Sequence, residues 1–254
     1  FEFDLTKHIK FGEDNVIAVQ LSPQDLAARW YPGAGIYRNV RLKINNSIHI
    51  PQYGTFVTTP KVTKEEATIN IETKVENYKS TTSDVVLKTT IKNSKGVIVA
   101  ENSSSFKVDK NAKESVQLTL KNPDLWDMNN PVLYEATSSV FVNDVLVDGY
   151  TTEFGIRTIE FDRDKGFLLN GNAVELNGVC MHHDLGPLGT AVNYRATERQ
   201  MQIMKSMGAN ALRTSHNPPS PEILQVCDKL GIVVIVEAFD EWKIGKVENR
   251  IKMG

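Results

Sequence analysis

Cysteine is scarce: Cys180 and Cys227 are the only two in 254 residues, too few for a disulfide scaffold. Cys227 falls inside an apolar helical pattern and reads as a small buried hydrophobe rather than a reactive thiol. No apolar run approaches the roughly 18 residues that a membrane-spanning helix requires, so no membrane role is expected. An excess of either charge is also missing. The 29 Lys and Arg stand against 31 Asp and Glu, a net charge of −2, which gives no electrostatic reason to expect nucleic acid or an acidic lipid surface as partner. With 41 % hydrophobic and 24 % charged residues, the composition is that of a folded globular chain and excludes disorder. Neither an initiator Met nor a signal peptide precedes Phe1-Glu2-Phe3-Asp4-Leu5, and Ile251-Lys252-Met253-Gly254 adds no final element. Both ends read as cut, and the expectation is an internal piece of a longer chain.

What is present changes character twice. Val16-Ile17-Ala18-Val19-Gln20-Leu21 and Val40-Arg41-Leu42-Lys43-Ile44 are rich in β-branched residues and read as strands. The loop between them carries Gly33-Ala34-Gly35, half of a dinucleotide fingerprint, but Arg38 stands at the third glycine position and a strand pattern follows where a helix is needed. Nucleotide binding is rejected on that ground. From Ile48 to Ile156 the period is two: Ala67, Ile69, Ile71, Thr73 and Val75 alternate with polar residues, and Val85-Leu87-Thr89-Ile91, Val116-Leu118-Leu120 and Val140-Val142 repeat the pattern. Alternation puts one face on a core and the other in water, as an antiparallel sandwich requires. Turn signals at Asn93-Ser94-Lys95-Gly96, Asp109-Lys110-Asn111 and Asn143-Asp144 divide the segment into about seven strands. Its size is immunoglobulin-like, although the Cys…Trp…Cys core of true immunoglobulins is missing. A structural role is expected for it.

Beyond Thr158 the period shifts to that of helices. Val174–Cys180 reads as a strand, and Thr197 with Gln200 as a capping box opening a helix whose Met201, Ile203, Met204 and Met207 pack inward before Gly208 stops it. Ala211–Thr214 is a second strand. Ser220 and Pro221 open a second helix that runs to Gly231. Ile232–Val236 is a continuous apolar run, the mark of a strand buried on both faces of a parallel sheet. The order is βαβαβ.

Polar side chains follow each of these strands: His182, His183 and Asp184; then Arg213, His216 and Asn217; then Glu237, Asp240, Glu241 and Trp242. In parallel α/β folds the strand C-termini carry the site. Adjacent residues of an extended chain point to opposite faces, which favours His182 over His183 as the one facing the site. Arg213 reads either as a site residue or as half of an ion pair with Glu237, and His216 either as a site residue or as a cap on the Asn217-Pro218-Pro219 turn. Glu241 reads equally as a solvated charge, and Trp242 equally as a sugar-stacking ring or a hydrophobic plug. Three function classes compete on these residues. A metal-dependent hydrolase would use His182, Asp184, His216 and Glu237, but no metal-binding spacing supports it. A glycosidase would use paired carboxylates with Arg, His and Trp around a neutral sugar, which suits the near-balanced charge better. A non-catalytic carbohydrate-binding or scaffold protein is the third.

The chain resembles glycoside hydrolase family 2, the β-galactosidase, β-glucuronidase and β-mannosidase group, and most closely its bacterial β-galactosidase-like members. Gly35-Ile36-Tyr37-Arg38-Asn39-Val40 is similar to the end of that family's sugar-binding jelly roll. Asn122-Pro123-Asp124-Leu125-Trp126, Pro131-Val132-Leu133-Tyr134 and Phe154-Gly155-Ile156-Arg157 resemble its immunoglobulin-like domain. Phe167-Leu168-Leu169-Asn170-Gly171, Asn177-Gly178-Val179 and His182 resemble its barrel entry, and Asn210–Pro218 its most specific signature.

The resemblance implies a multi-domain β plus α/β chain: residues 1–47 the C-terminal part of a jelly roll, 48–156 an immunoglobulin-like β-sandwich, and 157–254 the opening of a TIM (β/α)8 barrel. A whole barrel takes about 250 residues, whereas 98 run from Arg157 to Gly254, room for about three of eight units. The implied activity is a retaining β-glycosidase acting on β-linked saccharides through an acid/base glutamate and a nucleophilic glutamate. The resemblance places both beyond residue 254, which displaces Asp184 and Glu237 as a catalytic pair and implies an inactive isolated chain. His182, Arg213 and His216 are implied to orient the sugar and the nucleophile, with Asn217, Glu237 and Trp242 as further substrate-binding candidates. Glu241 falls where some relatives place a magnesium ligand, although Lys243 replaces their histidine; no cofactor is certain, and Mg2+ or Na+ is a candidate only in the longer parent. Met181 and His183 also depart from the family pattern. A bacterial cytoplasmic or periplasmic parent is expected, as is a homo-oligomer or self-association along the open edge of the third parallel strand.

Overall fold

The computed structural model describes residues 2–22 and 35–238. The chain divides into two compact units, Phe1–Tyr37 with Glu241–Gly254, and Arg38–Asp240. In the first unit the described residues form turns and unpaired chain. The strand expected over Val16–Leu21 is not there, and Val16 is 92 % exposed. Val40–Ile44, in the second unit, is likewise unpaired, with Ile44 at 88 %. β-branched residues favour the pleat only where a neighbouring strand and a covered face reward it, and the described residues offer neither to these two segments. Gly33 and Ala34 of the rejected nucleotide loop lie outside the described residues.

The alternating segment of the second unit folds as read. Eight strands succeed one another: β1 (Ile48–His49), β2 (Thr55–Val62), β3 (Glu66–Asn77), β4 (Ser83–Lys92), β5 (Ile98–Val108), β6 (Asn111–Lys121), β7 (Tyr134–Val142) and β8 (Val145–Phe154). In one sheet β3 is central, paired along one edge with β6 and along the other with β2 and then β1; the second sheet runs β5-β4-β7-β8, and every pairing is antiparallel. Ile69, Ile71, Leu87 and Ile91 are at most 1 % exposed, and burial of each such side chain is worth about 1.5–3 kcal/mol. Two buried hydroxyls, Thr73 of β3 and Ser138 of β7, satisfy each other across the sandwich at 2.9 Å. Asn143 and Asp144 both take positive φ, 49° and 62°, the backbone that a tight hairpin between β7 and β8 demands.

A hairpin follows, β9 (Ile159–Asp162) and β10 (Gly166–Leu169), extended by the short β11 (Asn172–Ala173). The stretch between β6 and β7 joins it to the sandwich. Trp126, 2 % exposed, packs with Met128, Phe167 and Leu169. Its indole N–H donates to the Asp228 carbonyl at 2.8 Å, and the Arg157 guanidinium lies 5.0 Å from its ring centroid. Asn170, in the left-handed turn before Gly171, accepts from Thr158 N–H and donates to the Trp126 carbonyl, both at 3.0 Å.

Next comes the predicted βαβαβ order: β12 (Gly178–Met181), α1 (Tyr194–Ser206), β13 (Ala211–Thr214), α2 (Pro221–Leu230) and β14 (Val233–Ile235), the three strands parallel in the order β12-β13-β14. β12 is shorter than the Val174–Cys180 expected. Helix α1 begins earlier than the capping box placed it. Asn193 is the N-cap, its side chain accepting from Ala196 N–H at 3.0 Å. Thr197 sits inside the helix and donates back to the Asn193 carbonyl, while Gln200 reaches the Asp184 carbonyl. Of the apolar stripe, Met201 is buried and Met204 packs beside it, but Ile203 and Met207 are exposed. Helix α2 obeys its signals, with Pro221 in its first turn and Gly231 at φ 70° closing it. Cys227 is 1 % exposed in the core with Met201, Leu212, Val226 and Ile232.

Candidate functional site

At their N-terminal ends the three parallel strands are locked by Asn210. Its side chain accepts from Asn177 N–H and donates to the Glu175 carbonyl, and its own carbonyl accepts from Val233 N–H. The register is thereby fixed, Cys180 opposite Arg213 and Arg213 opposite Ile235. His182, Arg213, His216 and Glu237 consequently emerge at one end of the sheet, where the chain leaves it.

Glu237 is the hub. Its backbone N–H donates to Thr214 Oγ1 at 3.0 Å, which aims the side chain back across β13. Arg213 Nη2 donates to Oε1, and His216 Nδ1 lies 2.9 Å from Oε2. Arg213 Nη2 and His216 Nδ1 are themselves 3.5 Å apart. The His182 ring stands edge-on to that of His216 with centroids 5.5 Å apart, and Arg213 Nη1 approaches Cys180 Sγ at 3.5 Å. The Ser215–His216 peptide is cis.

Desolvation pushes the Glu237 carboxyl up, but the hydrogen bonds and charges of His216 and Arg213 outweigh it and hold the group below its ordinary value. Contact with Cys180, then the bond to Glu237, raises Arg213 above its own. A guanidinium paired with a carboxylate still leaves donors of its fork unused. Arg213 and His216 remain about two-fifths exposed, at 39 % and 44 % of their side chains, so both can meet a ligand at this end of the sheet.

The sequence candidates separate accordingly. His182, Arg213, His216 and Glu237 are brought together. The ion pair weighed as the alternative reading of Arg213 exists, and it lies inside the cluster rather than away from it. His182 and His183, just past the end of β12, diverge: His182 meets His216 edge-on, whereas His183 is hydrogen-bonded to the exposed Asn217. Burial pushes the His183 imidazole below its usual range and the Arg38 charge adds to this, against the opposing bond to Asn217. Glu241 and Trp242, with Asp240 and Lys243, lie outside the described residues. Among the described residues no three His, Cys, Asp or Glu side chains are grouped to hold a metal ion.

Sequence reasoning missed a second set that braces the loop behind His216. Arg38 Nη2 donates to the Pro218 carbonyl at 2.8 Å and its Nη1 to that of Pro219 at 3.4 Å. Asn39 Nδ2 donates to Glu222 Oε1 at 2.7 Å, and Arg41 Nη2 lies 3.4 Å from the same oxygen. Glu222, in the first turn of α2, is 9 % exposed. The acid at a helix N-terminus was legible as favourable to the dipole, but its partners stand about 180 residues away and no local pattern announces them.

The comparisons with known proteins agree on the kind of molecule. Residues 48–157 match the model for glycosyl hydrolases family 2, and residues 161–249 the model for the TIM barrel domain of glycosyl hydrolases family 2. The chain is 46 % identical over 253 residues to the β-galactosidase BoGH2A of Bacteroides ovatus, covering 98 % of this chain and 30 % of that protein. It is 30 % identical over 262 residues to a β-glucuronidase of Formosa agariphila, covering 93 % and 27 %. A crystal structure of a glycosyl hydrolase family 2 member from Bacteroides cellulosilyticus superposes with a TM-score of 0.84 at 39 % identity, over 89 % of this chain and 29 % of that one. The chain thus spans less than a third of the length of these relatives.

Proposed function

The chain belongs to glycosyl hydrolases family 2, and from that premise we propose that it is the immunoglobulin-like sandwich and barrel opening of a retaining β-glycosidase acting on β-linked galactosides or close relatives. In this reading His182, Arg213 and His216 line the saccharide site and set the sugar and the attacking carboxylate in place. Glu237 holds two of them in register. Asn217, bonded to His183, and Trp242 are further candidates for contact with the sugar. The observation that carries the proposal is the Glu237 hub: one carboxylate at the end of β14 fastens an arginine and a histidine from β13 and its loop, with a second histidine from β12 edge-on beside them. Preorganised donors at a strand C-terminal rim suit the orientation of a neutral polyol, because a 1 Å displacement of reacting groups costs about 100-fold in rate. The relatives named as β-galactosidase and β-glucuronidase support the substrate class.

The acid/base and nucleophilic glutamates are assigned to neither Asp184 nor Glu237. Asp184 accepts from the Gly186 N–H in its own turn, and Glu237 has both oxygens engaged by Arg213 and His216. A division at residues 47/48 and 156/157 belongs to the same proposal, supported by family matches that begin at 48 and end at 157. So does self-association along β14, which among the described residues pairs with β13 alone and leaves Ile235 and Val236 about half exposed.

The test has two arms. The purified 254-residue chain is expected to give no turnover of 4-nitrophenyl β-D-galactopyranoside, and multiple turnovers would overturn the assignment of both glutamates elsewhere. In a longer polypeptide supplying the remaining barrel strands, Arg213→Ala should lower kcat/KM for that substrate by about 100-fold while leaving the unfolding midpoint nearly unchanged. Equal losses of activity and stability would reduce Arg213 to a structural ion pair.

A further inference from the structure

We infer that Arg38 is a positioning residue of the site: its guanidinium fork, with the Asn39–Glu222 latch beside it, clamps the loop after β13 so that His216 and Asn217 are presented to the saccharide in one fixed geometry. The inference rests on the glycosidase reading for its purpose, but not for its geometry.

The loop in question, residues 215–220, has few fixings of its own. Ser215 N–H donates to the Met181 carbonyl. Pro218 and Pro219 have no N–H to give, and Ser220 caps α2 without a side-chain hydrogen bond. The two proline carbonyls are instead held from a distant segment: Arg38 donates with two nitrogens to two successive carbonyls, a planar two-point hold that a lysine ammonium cannot reproduce. One residue on, the Asn39 amide reaches Glu222, which the Arg41 guanidinium also approaches. The chain from Arg38 to Arg41 thus holds the C-terminal half of the loop, its prolines, together with the first turn of α2. Between that hold and the Ser215 N–H bond to the Met181 carbonyl stand His216, bonded to Glu237, and Asn217, bonded to His183. Arg38 also bears on His183 electrostatically, together with His182 and Asp184. One side chain therefore touches the backbone behind His216 and the field around its neighbouring histidine.

Proton NMR of the histidines in the 254-residue chain tests this without any glycoside. In the unchanged protein a cross-relaxation peak between the His182 and His216 ring protons is expected, together with one set of His216 signals. Arg38→Ala should abolish the peak, broaden or split the His216 and Asn217 signals, and raise the apparent pKa of His183. Arg38→Lys should keep the His183 value low, because the charge remains, yet fail to restore the peak, because the fork is gone. Glu222→Gln should weaken the peak with His183 unmoved, and it serves as an independent variant should Arg38→Ala not fold. An intact peak in both the Arg38→Lys and Glu222→Gln proteins would overturn the inference. Titration with methyl β-D-galactopyranoside is a separate arm. Ring signals of His182 and His216 that stay still on addition of the sugar would count against the glycosidase reading while leaving the clamp in place.

Discussion

Gly231 closes α2 at φ 70°, and a Cβ built there would stand 2.3 Å from the Met128 carbonyl oxygen and 2.8 Å from its carbon. Gly208, just past α1, takes φ 97° with nothing within 4 Å of the same imaginary atom. The pair separates two costs that usually travel together. Alanine in left-handed backbone costs about 1–2 kcal/mol, partly offset by about 0.4–1 kcal/mol from the stiffer unfolded chain. Gly208→Ala should therefore destabilise by about 1 kcal/mol. Gly231→Ala carries the same term and must also push Met128 away, although Met128 is 8 % exposed and packs with Trp126, Phe167 and Leu169. Loosening such a cluster costs about 2–3 kcal/mol, on the scale of core truncations, for about 3–4 kcal/mol in all. Urea unfolding followed by tryptophan fluorescence reads this directly. With a slope of about 3 kcal/mol per molar, the midpoint should fall by about 1 M for Gly231→Ala and about 0.3 M for Gly208→Ala. Equal shifts would refute the claim that the end of α2 is seated against the Met128 backbone.

Three further outcomes follow from single features. Burial pushes the Cys227 thiol up to about 12, so an aromatic disulfide reagent should label only Cys180 in the native protein and reach Cys227 only on unfolding. Burial raises the Asp228 carboxyl above its ordinary value, with Glu153 adding to this and Arg157 and Lys229 opposing it. The folded state therefore holds that proton longer than the unfolded chain, and stability declines as pH rises from about 3.8 through the folded value. Asp228→Asn should be the more stable protein near neutrality, with the gap closing below that range in a pH series of thermal melts; a pH-independent gap would contradict it. Asn193→Ala should cost about 1 kcal/mol and Ser220→Ala distinctly less, since only the first side chain accepts a capping bond. A reversed order in thermal melts would mean the N-cap of α1 is misplaced.

What could be foreseen divides by the range of the interaction responsible. Strict alternation from Ala67 to Val75 reports one covered face, and that reading held. The apolar run at Ile232–Val236 was read as a strand buried on both faces, but only Val233–Ile235 is strand and Ile235 and Val236 are about half exposed, since among the described residues β13 alone pairs with it. Pro221 and Gly231 bracket α2 because backbone restriction is local. The start of α1 was misread because Thr197 and Gln200 satisfy the capping pattern, whereas Asn193, four residues earlier, makes the bond. Val16–Leu21 and Val40–Ile44 were misread because strand formation depends on a partner that the segment itself does not encode. In the site, His182, Arg213, His216 and Glu237 were legible from their places after parallel strands. The Glu237 hub was visible only as an alternative, since pairing across 24 residues depends on the register that Asn210 imposes. The pairing of Arg38 and Asn39 with the proline loop and Glu222 was invisible, because the two sides of the clamp meet only once the chain has folded.

Trp126 and Asn170 make the boundary between sandwich and barrel opening a poor place to cut. The indole, the Trp126 carbonyl and the Met128 carbonyl are claimed respectively by Asp228, Asn170 and Lys205, all of which lie on the far side of residue 157. A chimera that exchanged sandwiches between relatives at that point would inherit a stretch shaped for another scaffold's carbonyls and amides. Recombination between such enzymes should succeed when residues 122–134 travel with the α/β portion they serve, rather than with the strands that flank them.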